Sequence, residues 1–164
     1  MKKALAIVMC IVAVCFASCN KEKSNQKFIG NYRGELNGSV VMTIPVIGEI
    51  PFDSLTMDLS MEISAGNADN KVVAKCPLND EVYTINGTTK NNVVSFEPLV
   101  IKKSEEGTEA NVSIDLTGTL DGNKLNVNGK ISGQGTAVDE MFPTPVNVTI
   151  SGTLTGTLNK VAAQ

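Results

Sequence analysis

The chain has 164 residues, with 14 Lys and Arg, 17 Asp and Glu, four Cys, and neither His nor Trp. The acidic balance of the chain argues against a nucleic-acid partner, whose phosphates require a basic face. The absence of His removes the most common general base and the most common metal ligand. This length suits one domain with a single core.

The first 18 residues have the pattern of a secretory leader. Lys2 and Lys3 precede an apolar run over residues 4–16, which is too short for a membrane-spanning helix of about 20 residues. The run leads into Phe16–Cys19, which resembles the lipobox of bacterial lipoproteins and predicts a lipid on Cys19. Without residues 1–18 the chain has a net charge of −5, from 12 basic and 17 acidic residues.

Residues 19–29 are polar and charged, and we predict that they form the lipidated N-terminus and a flexible tether. Asn20 stands where an Asp retains such lipoproteins at the inner membrane. The resemblance therefore implies an outer-membrane anchor, with the periplasmic and cell-surface faces as alternatives. Cys76 is the one cysteine outside the leader and the lipobox, so no internal disulfide is available and we expect Cys76 in the core.

Apolar and polar residues alternate strictly over residues 55–65, 110–120 and 146–158. A period of two is typical of strands with one buried and one wet face. We predict an all-β domain over residues 30–160, an antiparallel up-and-down meander that closes into an eight- or nine-stranded barrel, with a flattened sandwich as the alternative. The predicted strands are 31–36, 39–46, 55–65, 71–76, 81–87, 92–102, 110–120, 124–135 and 146–158.

In the later strands, glycines occupy the same alternating positions as the apolar residues that we predict to face inward. Glycine weakens a strand, so its repeated use indicates either sharp coiling or space kept inside the domain. The glycines concerned are Gly118, Gly129, Gly133, Gly135, Gly152 and Gly156.

Short motifs carry a family resemblance. The segment Gly30–Leu36 resembles the Gly-x-Tyr-x-Gly-x-Leu opening of calycin-like, lipocalin-related β-barrel lipoproteins of gut Gram-negative bacteria, and residues 116–125 and 150–154 fit the same style. The resemblance implies a barrel of eight or nine strands. It implies no catalytic residues.

No motif for catalysis, phosphate binding or metal binding is present, so we expect no enzyme activity, no cofactor and no metal. Glycan binding is less favoured, because the chain offers only Tyr32 and Tyr83 as sugar-stacking rings of the usual kind. The triplet Asp53–Leu55 fits an acceptor sequence of periplasmic O-glycosylation and predicts Ser54 as the modified residue.

Two predicted loops, 47–54 and 136–145, are long, contain Pro and are unusually apolar. Counting strands places both at one end of the meander, together with the start of the first strand. Apolar loop residues need a barrel mouth, each other or a partner to contact. We therefore predict one opening for a small apolar or amphipathic ligand or, alternatively, an envelope protein, lined by Ile47, Ile50, Phe52, Met141 and Phe142.

Overall fold

The fold is a single antiparallel sheet of nine strands, which confirms the predicted all-β meander. The computed structural model describes residues 23–45, 47–78, 80–105, 108–139 and 142–162. A short 3-10 helix (Gln26–Phe28) precedes the first strand, and no helix in these ranges is long and apolar enough to cross a membrane. The strands are β1 (Gly30–Ile44), β2 (Gly48–Ala65), β3 (Lys71–Leu78), β4 (Glu81–Lys90), β5 (Val93–Phe96), β6 (Leu99–Glu105), β7 (Thr108–Asp121), β8 (Lys124–Asp139) and β9 (Phe142–Val161).

Eight strands form a ring. The hydrogen-bonded order is β5-β4-β3-β2-β1-β9-β8-β7-β6, and β5 also pairs with β7, which closes the circle. β5 pairs with β7 over Thr117–Thr119, and β6 continues along the same edge of β7 over Thr108–Ile114. The predicted strand 92–102 is therefore interrupted, and the break contains Pro98, whose nitrogen has no hydrogen to donate to a ladder.

The two ends of the ring differ. At one end, here called the closed end, the turns 66–70, 91–92 and 122–123 connect strands that are paired next to the turn. At the opposite end, here called the open end, β2 separates from β3, since these strands pair only over Glu62–Ala65. No ladder joins β4 to β6 in the described part of the chain, so the ring divides there as well.

The interior of the closed end is filled with side chains. Tyr32, Leu36 and Leu158 are fully buried, and every one of the nine strands contributes at least one buried residue to the core. At Gly34 and Gly156, a Cβ atom would overlap a backbone carbonyl oxygen of the adjacent strand. Glycine is needed at these inward positions because β1 and β9 are tightly coiled against each other.

The segment before β1 packs onto the closed end. Phe28 is completely buried in the core, and the Asn25 amide donates hydrogen bonds to the carbonyls of Ala68 and Lys71 at 3.2 and 2.8 Å. The prediction of a flexible tether over 19–29 is therefore wrong for residues 23–29. An apolar ring and a buried amide at these positions have partners on the sheet, which a polar composition alone does not reveal.

Several predicted connections are also wrong. Most of the predicted loop 136–145 belongs to β8, which ends at Asp139, and to β9, which begins at Phe142. β1 runs without a turn through residues 37–38, because Gly38 pairs with Leu55 on one side and Leu154 on the other. The predicted loop 47–54 is the first part of β2 instead. Its alternation is hidden by a β-bulge, since Gly38 pairs with Leu55 while Val40 pairs with Phe52, so that Asp53 and Ser54 oppose Ser39 and β2 has one extra residue.

Candidate functional site

The β-bulge turns the apolar residues of early β2 toward the inside of the sheet. Phe52 and Ile50 lie directly opposite Val40 and Met42 of β1 and therefore share their face. Phe52 is 49% exposed and Ile50 is half-buried, whereas Ile47 lies in the β1–β2 turn and is 50% exposed. Phe142 is placed at the start of β9, and Met141 lies outside the described residues.

The structure brings the β1–β2 and β8–β9 hairpins to the same end of the sheet. Ile44 pairs with Gly48 and Asp139 pairs with Phe142, and the antiparallel pairing of β1 with β9 sets both turns at the open end. The start of β1 at Gly30 lies at the closed end, so the prediction that the first strand begins beside these turns is wrong. The error follows from the turn wrongly placed at 37–38.

An apolar row crosses six strands near the open end. Each member is the direct cross-strand partner of the next, so all six point to the inner face of the sheet. We call this set the apolar row, and in order from β2 to β6 it consists of Ile50, Met42, Ile150, Gly133, Val112 and Ile101.

The apolar row is less buried than its surroundings, since Ile44 and Val148, the next inward residues toward the open end, are 6% exposed. All of its members are half-buried, whereas the next row toward the closed end contains the buried residues Ile131, Ile114 and Leu99. Ile101, Val112 and Ile150 pack against this core. In the adjacent row, Ile131 is 6% exposed whereas Phe52 is 49% exposed, so the accessible part of that row lies on β2.

Three side chains bridge the gap between β4 and β6, and we call them the clasp. Lys103 Nζ lies 3.4 Å from Glu81 Oε1, and the Tyr83 hydroxyl donates a hydrogen bond to Glu81 Oε2. The hydrogen bond from Tyr83 and the charge of Lys103 lower the pKa of Glu81, and the hydrogen bond to Glu81 raises the pKa of Tyr83. The clasp places one ion pair beside the β6 end of the apolar row.

A cleft of about 800 Å³ lies on strands β6 to β9 at the open end. Two rows of directly paired residues supply its polar side chains. One row has Lys102, Asn111, Gln134 and Thr149, and the other has Ser104, Glu109, Thr136 and Asn147. Ala110, Gly135 and Val148 lie between these rows, and no aromatic residue is among the lining residues of the cleft.

The tyrosines, Ser54 and Cys76 have distinct positions. Tyr32 is fully buried, and Tyr83 is half-buried against the core, so neither ring is fully exposed for stacking on a sugar. Ser54 is exposed at the β-bulge of β2. Cys76 is a buried free thiol in the core, and burial raises its pKa to about 11. The thiol is therefore protonated at neutral pH and a poor nucleophile.

Sequence reasoning found part of this site. It named Ile50 and Phe52 but treated them as loop residues, and it did not combine them with Met42, Val112 and Ile101. The clasp was also missed, because Glu81 and Lys103 come together only when β5 closes the ring onto β7. In the described ranges, no group of three or more Cys, Asp or Glu side chains is arranged to hold a metal ion.

Comparisons with known proteins assign no family. No protein-family model matches the chain, and no curated protein matches it. Among solved structures, the chain is similar to a multidomain protein including DUF1735 from Bacteroides ovatus, with 13% identity, a TM-score of 0.25, and coverage of 77% of this chain and 56% of that one. A second Bacteroides ovatus protein of unknown function has 13% identity, a TM-score of 0.28, and coverage of 79% and 47%. The chain thus matches about half the length of each.

Proposed function

We propose that the protein is a lipid-anchored, non-enzymatic binding module of the bacterial outer membrane. The leader-like pattern before residue 18 and the lipobox resemblance at Phe16–Cys19 support the anchor. In cells, Cys19→Ala should abolish labelling by a fatty-acid analogue and release the protein from the membrane fraction. Cys76→Ala is the matched control, because this buried thiol should leave labelling unchanged. The anchor would be contradicted if Cys19→Ala stayed in the membrane fraction and the wild type were not labelled.

The proposed binding surface is the apolar row with Phe52 at its edge. The observation that carries this proposal is the half-exposure of a row that is continuous with the core. Apolar side chains that remain accessible in this way mark an interaction surface more often than a structural requirement. The interior of the closed end is filled, so the proposed partner contacts an open face.

The proposed partner is an apolar segment of another envelope protein in an extended conformation. Over Gly48–Met61, β2 is hydrogen-bonded to β1 on one side, and no described strand pairs with its other side. An open edge next to an apolar face allows a partner strand to add backbone hydrogen bonds and to place alternate side chains on the row. Pro51 and the acids Glu49 and Asp53 on this stretch limit indiscriminate edge pairing.

Site-specific photocrosslinking tests this proposal. A photoreactive residue at position 52, in the anchored protein in its own envelope, should give one discrete protein adduct, and Ile50→Glu should remove that adduct. The matched control is position 82, because Val82 is 65% exposed but lies on β4, away from the apolar row. The same adduct from position 82, or no adduct from position 52, would contradict the proposal.

A small amphipathic ligand is the second candidate, and the position of the clasp favours it. Ile101 and Lys103 are two residues apart on β6 and both lie on its inner face, so an apolar surface lies next to a charged group. Native mass spectrometry of the protein purified from membranes distinguishes the two candidates. A bound lipid-sized mass that is lost in Ile50→Glu and retained in Val82→Ser supports the ligand. Its absence from the wild type excludes the ligand.

A further inference from the structure

Lysines are concentrated at the closed end. Six of them lie on the N-terminal segment, beside the three turns, or hydrogen-bonded to a turn, whereas the same surface has only two acids among the described residues, Asp69 and Asp121. We call this set the lysine face, and its members are Lys23, Lys27, Lys71, Lys90, Lys124 and Lys160.

The lysine face is opposite in charge to the rest of the molecule. Its six lysines and two acids give +4, while the other residues of 19–164 have 6 basic and 15 acidic side chains and therefore −9. Five of the six lysines are exposed, and Lys160 is half-buried with its ammonium 5.8 Å from the centre of the Tyr32 ring. This asymmetry orients the closed end toward an anionic surface.

The short segment between Cys19 and Lys23 determines which surface lies near the closed end. Lys23 forms an ion pair with Asp69 at 3.3 Å, and Lys27 donates a hydrogen bond to Asn92 at 2.7 Å, so this segment is fixed to the closed end. Only three residues separate Lys23 from Cys19. If Cys19 has a lipid, as proposed above, the closed end lies within about 14 Å of the bilayer at 3.3–3.6 Å per residue.

We infer that the lysine face docks on a bilayer surface that contains anionic phospholipid. The lysines contact headgroup phosphates, and the apolar row then points away from the membrane. β1 spans 15 residues, so the open end projects roughly 45 Å beyond the docked end. This orientation presents the proposed binding surface to partners in the aqueous space.

Vesicle binding tests the docking without the lipid anchor. The chain beginning at Asn20 contains every described residue and has no acylated cysteine. It should bind vesicles of phosphatidylcholine mixed with phosphatidylglycerol more strongly than vesicles of pure phosphatidylcholine. The triple variant Lys27→Gln, Lys90→Gln, Lys124→Gln should reduce the partition coefficient on the order of 100-fold, since each lysine near an anionic surface contributes about fivefold.

A matched triple variant separates the lysine face from net charge. Lys102→Gln, Lys103→Gln, Lys130→Gln makes the same change in charge at exposed positions away from the closed end. It should reduce the partition coefficient less than about threefold. Equal losses in the two triple variants, or no preference of the wild type for phosphatidylglycerol, would overturn the docking. Neither result bears on the photocrosslinking at position 52, so the two proposals fail separately.

Fluorescence gives the orientation directly, because the chain has no tryptophan. A single indole from Asn67→Trp, in the exposed 66–70 turn, should be quenched by brominated phosphatidylglycerol vesicles. An indole from Phe52→Trp at the open end should not be quenched. Stronger quenching at position 52 than at position 67 would overturn the inferred orientation and indicate instead that the apolar row inserts into the bilayer.

Discussion

Lys103 and Glu81 connect two strands whose backbones form no ladder in the described structure. Lys103 Nζ on β6 lies 3.4 Å from Glu81 Oε1 on β4, at the point where the ring divides. Both side chains are more than half exposed, so the pair contributes little to global stability. Its consequence is local, because it joins β6 to the β3–β4 hairpin, which contains the core residue Cys76.

The buried thiol of Cys76 reports this local closure. In the chain beginning at Asn20 it is the only cysteine, and it lies on β3 directly opposite Tyr83. We expect Glu81→Gln and Lys103→Gln each to accelerate labelling of Cys76 by a disulfide reagent up to about fivefold, and the double variant to add little more. Glu62→Gln, an outward acid on β2, should have no effect. Additive effects of the two clasp substitutions would show that the ion pair does not act as a unit.

Acid should open the clasp. Tyr83 and Lys103 lower the pKa of Glu81, so the folded protein favours the charged carboxylate. The contribution of the clasp is therefore complete above the ordinary pKa of a glutamic acid and is lost as the pH falls through the lowered pKa. In a carboxyl-detected NMR titration, the midpoint of Glu81 should lie at a lower pH in the wild type than in Lys103→Gln. Identical midpoints in the two proteins would contradict the coupling.

Much of the fold is predictable from the sequence, because one face of most strands is buried and the other is wet. Strands such as β7 show this as strict alternation, and their pairing places the turns. The open end is less predictable. A β-bulge at Asp53 and Ser54 shifts the parity of β2, so Ile50 and Phe52 look like loop residues although they belong to a strand.

Contacts that depend on ring closure are beyond the sequence pattern. Glu81 and Lys103 are 22 residues apart on strands that do not pair, and no local motif connects them. The N-terminal segment shows the same limit, because Asn25 and Phe28 have a polar, tether-like neighbourhood. Their burial follows from the shape of the closed end, which one-dimensional composition does not contain.

Alkaline unfolding should depend on Cys76. Burial raises the pKa of the folded thiol from 9.0 to about 11, so between these values the unfolded chain loses a proton that the folded chain keeps. Ionisation of Cys76 therefore leaves the free energy of unfolding unchanged below pH 9 and lowers it by roughly 2–3 kcal/mol as the pH rises to 11. Urea unfolding at pH 7.5 and 10.5 should show a smaller decrease for Cys76→Ala than for the wild type. Equal decreases would contradict the assignment.

Two phenylalanines should separate the core from the binding surface. Phe28 is fully buried at the closed end, so Phe28→Ala should lower the free energy of unfolding by about 3–5 kcal/mol. Phe52 is 49% exposed at the open end, and Phe52→Ala should cost less than about 1 kcal/mol. Urea titrations of both variants give the comparison. A large loss of stability in Phe52→Ala would show that this ring supports the fold rather than a surface.

Gly156 tests whether inward glycines serve the coiling of the sheet. A Cβ at this position would overlap the carbonyl oxygen of Glu35 and approach the Leu36 side chain at 2.8 Å, so the backbones of β1 and β9 would have to move apart. We expect Gly156→Ala to destabilise the protein by about 1–3 kcal/mol, although alanine is otherwise favoured over glycine in a strand. Ser151→Ala, at an exposed position of the same strand, is the control and should change stability by less than about 0.5 kcal/mol. Thermal unfolding measures both variants. If Gly156→Ala is as stable as the wild type, the inner face has room for a methyl group, and tight coiling of β1 against β9 does not explain the glycine.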